Sequence, residues 1–206
     1  MGDRVRLVVP STILALVFLL CGDVGAVDLY FSDENANIPG FGGKLMKESI
    51  SGREVTFTLE ANGNIKWFSE PMKEDVVFSA GKWEVKYWGS STGNHRVYVR
   101  LYKLGENGLV LVKSGFNVIS GEDDKTKIFE LESLTLKKGE RICLEINWSK
   151  SAGSDTLTLY LNSADHPSGL KTPHYSTLNQ IPEFSQLTFV VAVTLAIGGF
   201  AILRKN

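Results

Sequence analysis

The stretch HRVYVRLYKLGENGLVLVKS, His95–Ser114, decides the fold class. Val97, Val99 and Leu101 alternate with Arg96, Tyr98, Arg100 and Tyr102. Side chains along a strand point to opposite faces in turn, so this pattern describes a strand with one core face and one wet face. Gly105-Glu106-Asn107-Gly108 then supplies turn residues ahead of a second apolar run, Leu109–Ser114. Strand, short glycine-bounded turn and strand make a hairpin.

The pattern continues outward on both sides. Lys82–Trp88 places Trp83, Val85 and Tyr87 on one face and Lys82, Glu84, Lys86 and Trp88 on the other. Arg53–Glu60 alternates through Val55, Phe57 and Leu59, and Asn62-Gly63 is a tight-turn signal leading into Ile65–Phe68. Val27–Phe31 reads as the first strand, Ser32–Gly43 as a loop and Val76–Phe78 as a short strand. Arg141–Trp148 is expected to bury Ile142, Leu144, Ile146 and Trp148, and Asp155–Leu161 to bury Leu157, Leu159 and Leu161. Lys127–Leu136 is a strand or strand pair whose core face the pattern leaves open, and Lys137-Lys138-Gly139 is a turn. The body contains no amphipathic helical pattern. The expectation is an all-β domain, a jelly-roll-like antiparallel β-sandwich of about eight to ten strands in two sheets.

The two ends have a different composition. Arg4 and Arg6 precede the apolar run Leu7–Leu20, and Val24 and Ala26 stand at −3 and −1 of a small-residue cut site. Charged start, apolar middle and small-residue end describe a secretory signal peptide over residues 1–26, cut between Ala26 and Val27. At the other end Leu187–Leu203 carries no charged residue and is followed by Arg204-Lys205. As a helix of about 25 Å it reaches the lower limit for crossing a bilayer core. Cations on the inner side of such a helix agree with export of the body, which spans residues 27–175. Residues 176–206 form the linker and tail.

Pro182-Glu183-Phe184, the apolar run Leu187–Leu203 and the basic end 204–206 stand in that order. This arrangement resembles the three-part tail of the PEF-CTERM surface proteins of archaea. The resemblance covers about the last 25 residues. It implies that Pro182, Glu183 and Phe184 are a sorting motif recognised by a membrane transpeptidase, an archaeosortase, which removes the helix and joins the new end to a lipid. The family often carries a longer Thr- or Pro-rich spacer than Thr172–Ile181 provides here. The expected location is therefore the cell surface, with the domain outside and membrane-anchored.

Residues 27–184 carry 21 acidic and 18 basic side chains, a net charge of −3, which argues against a nucleic-acid partner. Cys143 is the single cysteine left after signal removal, so the exported body is held by its core and not by an internal disulfide. The outward row Arg96, Tyr98, Arg100 and Tyr102, joined by Trp88 from the preceding strand, is the candidate binding face for surface glycans. Rings can cover a sugar's apolar face while Arg donates hydrogen bonds. The same residues can equally stabilise one another by cross-strand stacking and cation–π contact. Asp28, Asp33, Glu34, Asn35 and Asp155 offer oxygen ligands for a hard cation such as Ca²⁺, without EF-hand spacing. No other cofactor is expected. Asn147-Trp148-Ser149 is a glycosylation sequon with Asn147 opposite the core-facing Ile146 and Trp148. His95, His166 and His174 are not spaced as metal ligands, and no nucleophile or phosphate-cradling motif is present. Three readings follow: a non-catalytic envelope or adhesion protein, a carbohydrate-binding surface module, and a surface glycan hydrolase with two carboxylates facing a cleft.

Overall fold

A computed structural model of the chain describes residues 25–60, 62–149 and 155–177. Most of the expected signal peptide, the sorting motif Pro182-Glu183-Phe184, the helix Leu187–Leu203 and the basic end lie outside the described residues. Twelve strands run through the described part: β1 (Asp28–Asn35), β2 (Lys44–Lys47), β3 (Val55–Leu59), β4 (Asn64–Phe68), β5 (Val76–Phe78), β6 (Gly81–Gly105), β7 (Gly108–Leu131), β8 (Leu134–Leu136), β9 (Arg141–Ser149), β10 (Leu157–Leu161), β11 (Gly169–Lys171) and β12 (Tyr175–Thr177). The described residues contain no helix, so the all-β expectation holds.

The hairpin is far longer than its sequence signal. Lys82–Trp88 and His95–Leu104, read separately above, belong to one strand of 25 residues, and β7 pairs with it from Leu131 back to Gly108. Glu106-Asn107 makes the turn, and Gly108, at φ +88°, takes the left-handed position that a side chain resists. The ladder breaks between Ser91 and His95. There Thr92, Gly93 and Asn94 face a single residue, Ser120, and Gly121 opposite Ser91 has φ +67°. Extra residues on one strand and a glycine on the other bend the ribbon sharply. The hairpin folds over, and its two halves pack face to face. A Cβ on Gly115 would run into Lys127 and into Phe129, which belong to the other half of the same strand.

Between the halves lies the core. Trp83, Val85 and Tyr87 from the first half and Val97, Val99 and Leu101 from the second are fully buried, in line with the alternation. Ile142, Leu144, Ile146 and Trp148 of β9 and Leu157, Leu159 and Leu161 of β10 join them. Phe31 stacks on Trp67 at 4.4 Å, and the Trp67 indole N–H donates to the Ser32 carbonyl at 3.1 Å. Burying each such aromatic stabilises the fold by about 2–3 kcal/mol.

Both β6 and β1 serve both layers. The first half of β6 pairs with β10 and β11, the second half with β9. Pairings β9–β4, β4–β2, β2–β1 and β1–β11 return to β6 and close a ring, and β3 pairs with β10. A three-stranded sheet, β12-β5-β8, stands beside it. Three expectations are corrected and one open reading is resolved. β1 runs on to Asn35, because Phe31 and Ser32 continue into the core edge. Residues 44–47, 169–171 and 175–177 are short strands that their length hid from the periodicity. β2 and β4 pair in parallel, so the sandwich is not antiparallel throughout. The open face of Lys127–Leu136 resolves with Phe129 inward and Ile128 exposed.

Candidate functional site

The second half of β6 positions the candidate face. Tyr98 stands opposite Phe116 of β7 on one flank and Asn147 of β9 on the other, and Asn147 in turn opposes Asn64 of β4. One residue pair along, Arg100 opposes Glu145, which opposes Lys66. Arg96 stands between Val118 and Ser149. Pairing partners share a face, so Arg96, Tyr98, Arg100 and Tyr102 are gathered with Phe116, Val118, Asn147, Asn64, Lys66 and Glu145 on one outer surface.

Within this surface the aromatic rings are already occupied. The Arg96 guanidinium lies 5.0 Å from the Phe116 ring centre, and that of Arg100 lies 5.8 Å from the Tyr98 ring centre. Tyr98 and Phe116 are themselves 5.9 Å apart. Glu145 is the electrostatic centre, only 5% exposed. The Tyr102 hydroxyl donates to its Oε2 at 2.8 Å, Arg100 Nη1 donates to the same oxygen at 3.4 Å, and Lys66 Nζ stands 3.6 Å from Oε1. Burial and the neighbouring Glu145 carboxylate push the Tyr102 phenol above its ordinary pKa. A buried carboxylate is tolerable only with such partners.

Trp88 does not belong to this face. It sits in the first half of β6, before the bend, opposite Tyr160 of β10. Because the hairpin folds over, its outward side is the other side of the sandwich. There the Trp88 ring lies 4.8 Å from His166, which lies 5.2 Å from Tyr160 and pairs with Glu54 through Nδ1. Ser163 Oγ donates to Glu54 at 3.3 Å and accepts from the His166 backbone at 3.0 Å, so this serine serves the carboxylate and the loop.

The oxygen-ligand candidates do not converge. Asp155 accepts from Thr92 at 3.0 Å and pairs with His95 Nε2 at 3.1 Å, tying the β6 bend to the start of β10. Asp28 opposes Lys171 in register, and Asp33 lies further along β1, where Lys44 Nζ donates to its carbonyl at 2.9 Å. Among the described residues no group of three or more His, Cys, Asp or Glu side chains could hold a metal ion. Asn147 is half-buried on the outer face, as the alternation required. Cys143 is fully buried, and burial pushes its thiol up to about 12, which leaves it unreactive at neutral pH.

Sequence reasoning missed Glu145, Phe116, Lys66 and Asn64 as members of the face. Each is ordinary in its own strand, and only strand pairing brings them to Tyr98 and Arg100. A cleft of about 480 Å³ also opens on the molecule, with Leu29, Met46, Met72, Val76, Phe78 and Tyr175 in its lining. Glu48, Glu70, Glu74, Lys47 and Lys73 contribute to the same lining, mixing acids with bases.

No protein-family model matches the chain, and no curated protein matches it in sequence. Solved structures do match in shape. Part of a CocE/NonD family hydrolase from Staphylococcus aureus is similar at a TM-score of 0.59 and 11% identity, over 74% of this chain and 37% of the hydrolase. An aminopeptidase from a marine sediment Thaumarchaeota archaeon is similar at 0.57 and 12%, over 74% of this chain and 37% of its own. An α-amino acid ester hydrolase is similar at 0.53 and 10%, over 72% and 36%. The chain thus spans little more than a third of each of these proteins, and at such identities the likeness establishes a shared β fold alone.

Proposed function

We propose that this chain is an exported, non-catalytic cell-surface protein. Its jelly-roll-like β-sandwich stands outside the cell, tethered by the PEF-type tail and processed by an archaeosortase, in a structural, adhesion or envelope role. One observation carries the reading. The first described strand begins directly after the expected cut. The Val27 backbone N–H donates to Thr172 Oγ1 at 3.1 Å, the Thr172 N–H donates to the Val27 carbonyl at 2.9 Å, and β1 starts at the next residue. Of the residues before the expected cut, the described ones, Gly25 and Ala26, belong to no strand. The last described strand ends at Thr177, and the nine residues Leu178–Gln186 then separate it from the apolar run. The test is the intact mass of the mature protein from its own host. The expected form starts at Val27 and ends near Phe184 with an added lipid. A mature form that keeps Leu187–Asn206 would remove the archaeosortase step and leave a single-pass anchor. A mature form that keeps residues 1–26 in a soluble fraction would remove the whole reading.

A second reading, a glycan-binding module, draws on the outer face. Phe116 and Val118 stay 45% and 50% exposed beside Arg96, and the amides of Asn147 and Asn64 lie beyond Tyr98 on the same face. Loss of glycan-array binding in Arg96→Ala and Tyr98→Ala supports it, and binding unchanged in both rejects this face.

A further inference from the structure

We infer that the Arg96–Tyr98–Arg100 end of the outer face takes an acidic glycan, a saccharide bearing carboxylate or sulfate groups, in preference to a neutral one. The inference rests on the second reading above and sharpens its ligand class.

Neutral sugars are held largely by laying an apolar face on an open aromatic ring. Here the two rings available for that contact, Phe116 and Tyr98, each have a guanidinium against them at 5.0 and 5.8 Å. A neutral sugar has to displace those guanidiniums and forfeit their cation–π contacts. An anion does not, because a guanidinium stacked on a ring still presents its N–H edge. That edge matches a carboxylate or sulfate in a bidentate way.

The charge balance agrees. Arg96, Arg100 and Lys66 meet one anion on this surface, Glu145, and Glu145 is engaged by Arg100 and Lys66. Arg96 is exposed and has no carboxylate partner among the described residues. A surface with a positive surplus, within residues 27–184 of net charge −3, is a local attraction for anions that the rest of the molecule opposes. So small a surplus suits a few acidic sugar units. A nucleic acid needs a basic stripe that neutralises many phosphates. The amides of Asn147 and Asn64, in line with Tyr98 across the sheet, offer donors and acceptors to the hydroxyl groups of the same saccharide.

The test is titration of the full-length chain in detergent micelles with three probes of similar length: an oligogalacturonate, a neutral cello-oligosaccharide and a single-stranded oligonucleotide. The oligogalacturonate is expected to bind and to weaken as salt rises, since exposed charge pairs are screened. Arg96→Ala is expected to cost about tenfold in affinity, with partial recovery in Arg96→Lys, because a lysine keeps the charge and loses the fork. Arg96 is exposed, and unchanged thermal unfolding of both variants checks that the fold is retained. Equal or tighter binding of the neutral probe at this face overturns the acidic preference and keeps the glycan reading. Equal binding of the oligonucleotide overturns the proposal in favour of a general anion surface. Binding of none of the probes, or binding indifferent to Arg96→Ala, overturns the proposal together with the use of this face.

Discussion

The outer surface of the β7-β6-β9-β4 layer has two ends with opposite fates. At one end Phe68, Cys143 and Leu104 are buried with Ala36 in a small second core, and Ile38, Phe41, Leu45, Tyr102 and Leu109 pack around them. At the other end Arg96, Tyr98 and Phe116 meet solvent. The strands are the same and so is the face. What differs is the β1–β2 connection, closed on itself by hydrogen bonds from Ala36 N–H to Gly43 carbonyl and from Phe41 N–H to Ile38 carbonyl, both at 3.0 Å. It brings Ile38 and Phe41 over one end and leaves the other bare. Phe41 meets Phe68 edge-on at 6.4 Å, and a Cβ on Gly43 would meet the Lys66 carbonyl at 2.8 Å, so the loop can lie this close only with glycine there. A sheet face becomes core when something lies on it, and its own residues do not decide that alone.

Glu145 stands at the border between the ends. It accepts from Tyr102, which belongs to the covered side, and from Arg100, which belongs to the open side. This position predicts a graded response to mutation along the face. The largest effect is expected at the covered end. Phe68→Ala removes a fully buried ring and should destabilise the domain by about 3–5 kcal/mol, read as the free energy of denaturant unfolding. A loss below about 1 kcal/mol would mean that the loop does not seal this end. Next comes the border. Glu145→Ala leaves Tyr102, Arg100 and Lys66 without their shared acceptor and should cost about 1.5–3 kcal/mol. Glu145→Gln, which keeps an acceptor for Tyr102, should cost less, and equal costs for the two would show that charge is what matters.

The covered end should also be visible in the pH dependence. The Cys143 thiol is pushed from 9.0 to about 12 by burial. Its folded pKa is raised, so the unfolded chain loses this proton first as pH rises. Stability is then fully present below pH 9 and falls above it, by about 1.4 kcal/mol at pH 10. Tyr87 and Tyr102 are shifted in the same direction and add to the loss above their ordinary value of 10.0. Cys143→Ala should flatten the slope between pH 9 and 10, and an unchanged slope would mean that the thiol is not sealed from water. The smallest effect belongs to the open end. Arg96→Ala should change stability by no more than about 0.5–1 kcal/mol, the worth of an exposed cation–π contact, whatever it does to ligand binding. A loss like that of Phe68→Ala would make this end structural and remove the reason to read it as a binding face.

Local pattern and distant pairing divide the account of this chain between them. The inward sets Trp83-Val85-Tyr87, Val97-Val99-Leu101 and Ile142-Leu144-Ile146-Trp148 were legible residue by residue, because burial on one side of a strand imposes a period of two on the sequence itself. So was the Glu106-Asn107 turn, since only particular residues accept its backbone. Cys143 and Glu145 were not. Their alternation marks them as outward, and they are buried because the β1–β2 loop and the cations of β4 and β6 lie over them. Trp88 was read onto the wrong surface because a strand through a bulge still looks like two strands in sequence, and nothing local states which way the second points. Sequence alone therefore determined that this is an all-β body with a defined core face on each long strand, since that information is carried by neighbours along the chain. Which outward residues meet one another, which are covered and which are left for a ligand was decided by the fold-over at Ser91–His95 and by pairings between residues as far apart in the chain as Asp28 and Lys171, which no local pattern encodes.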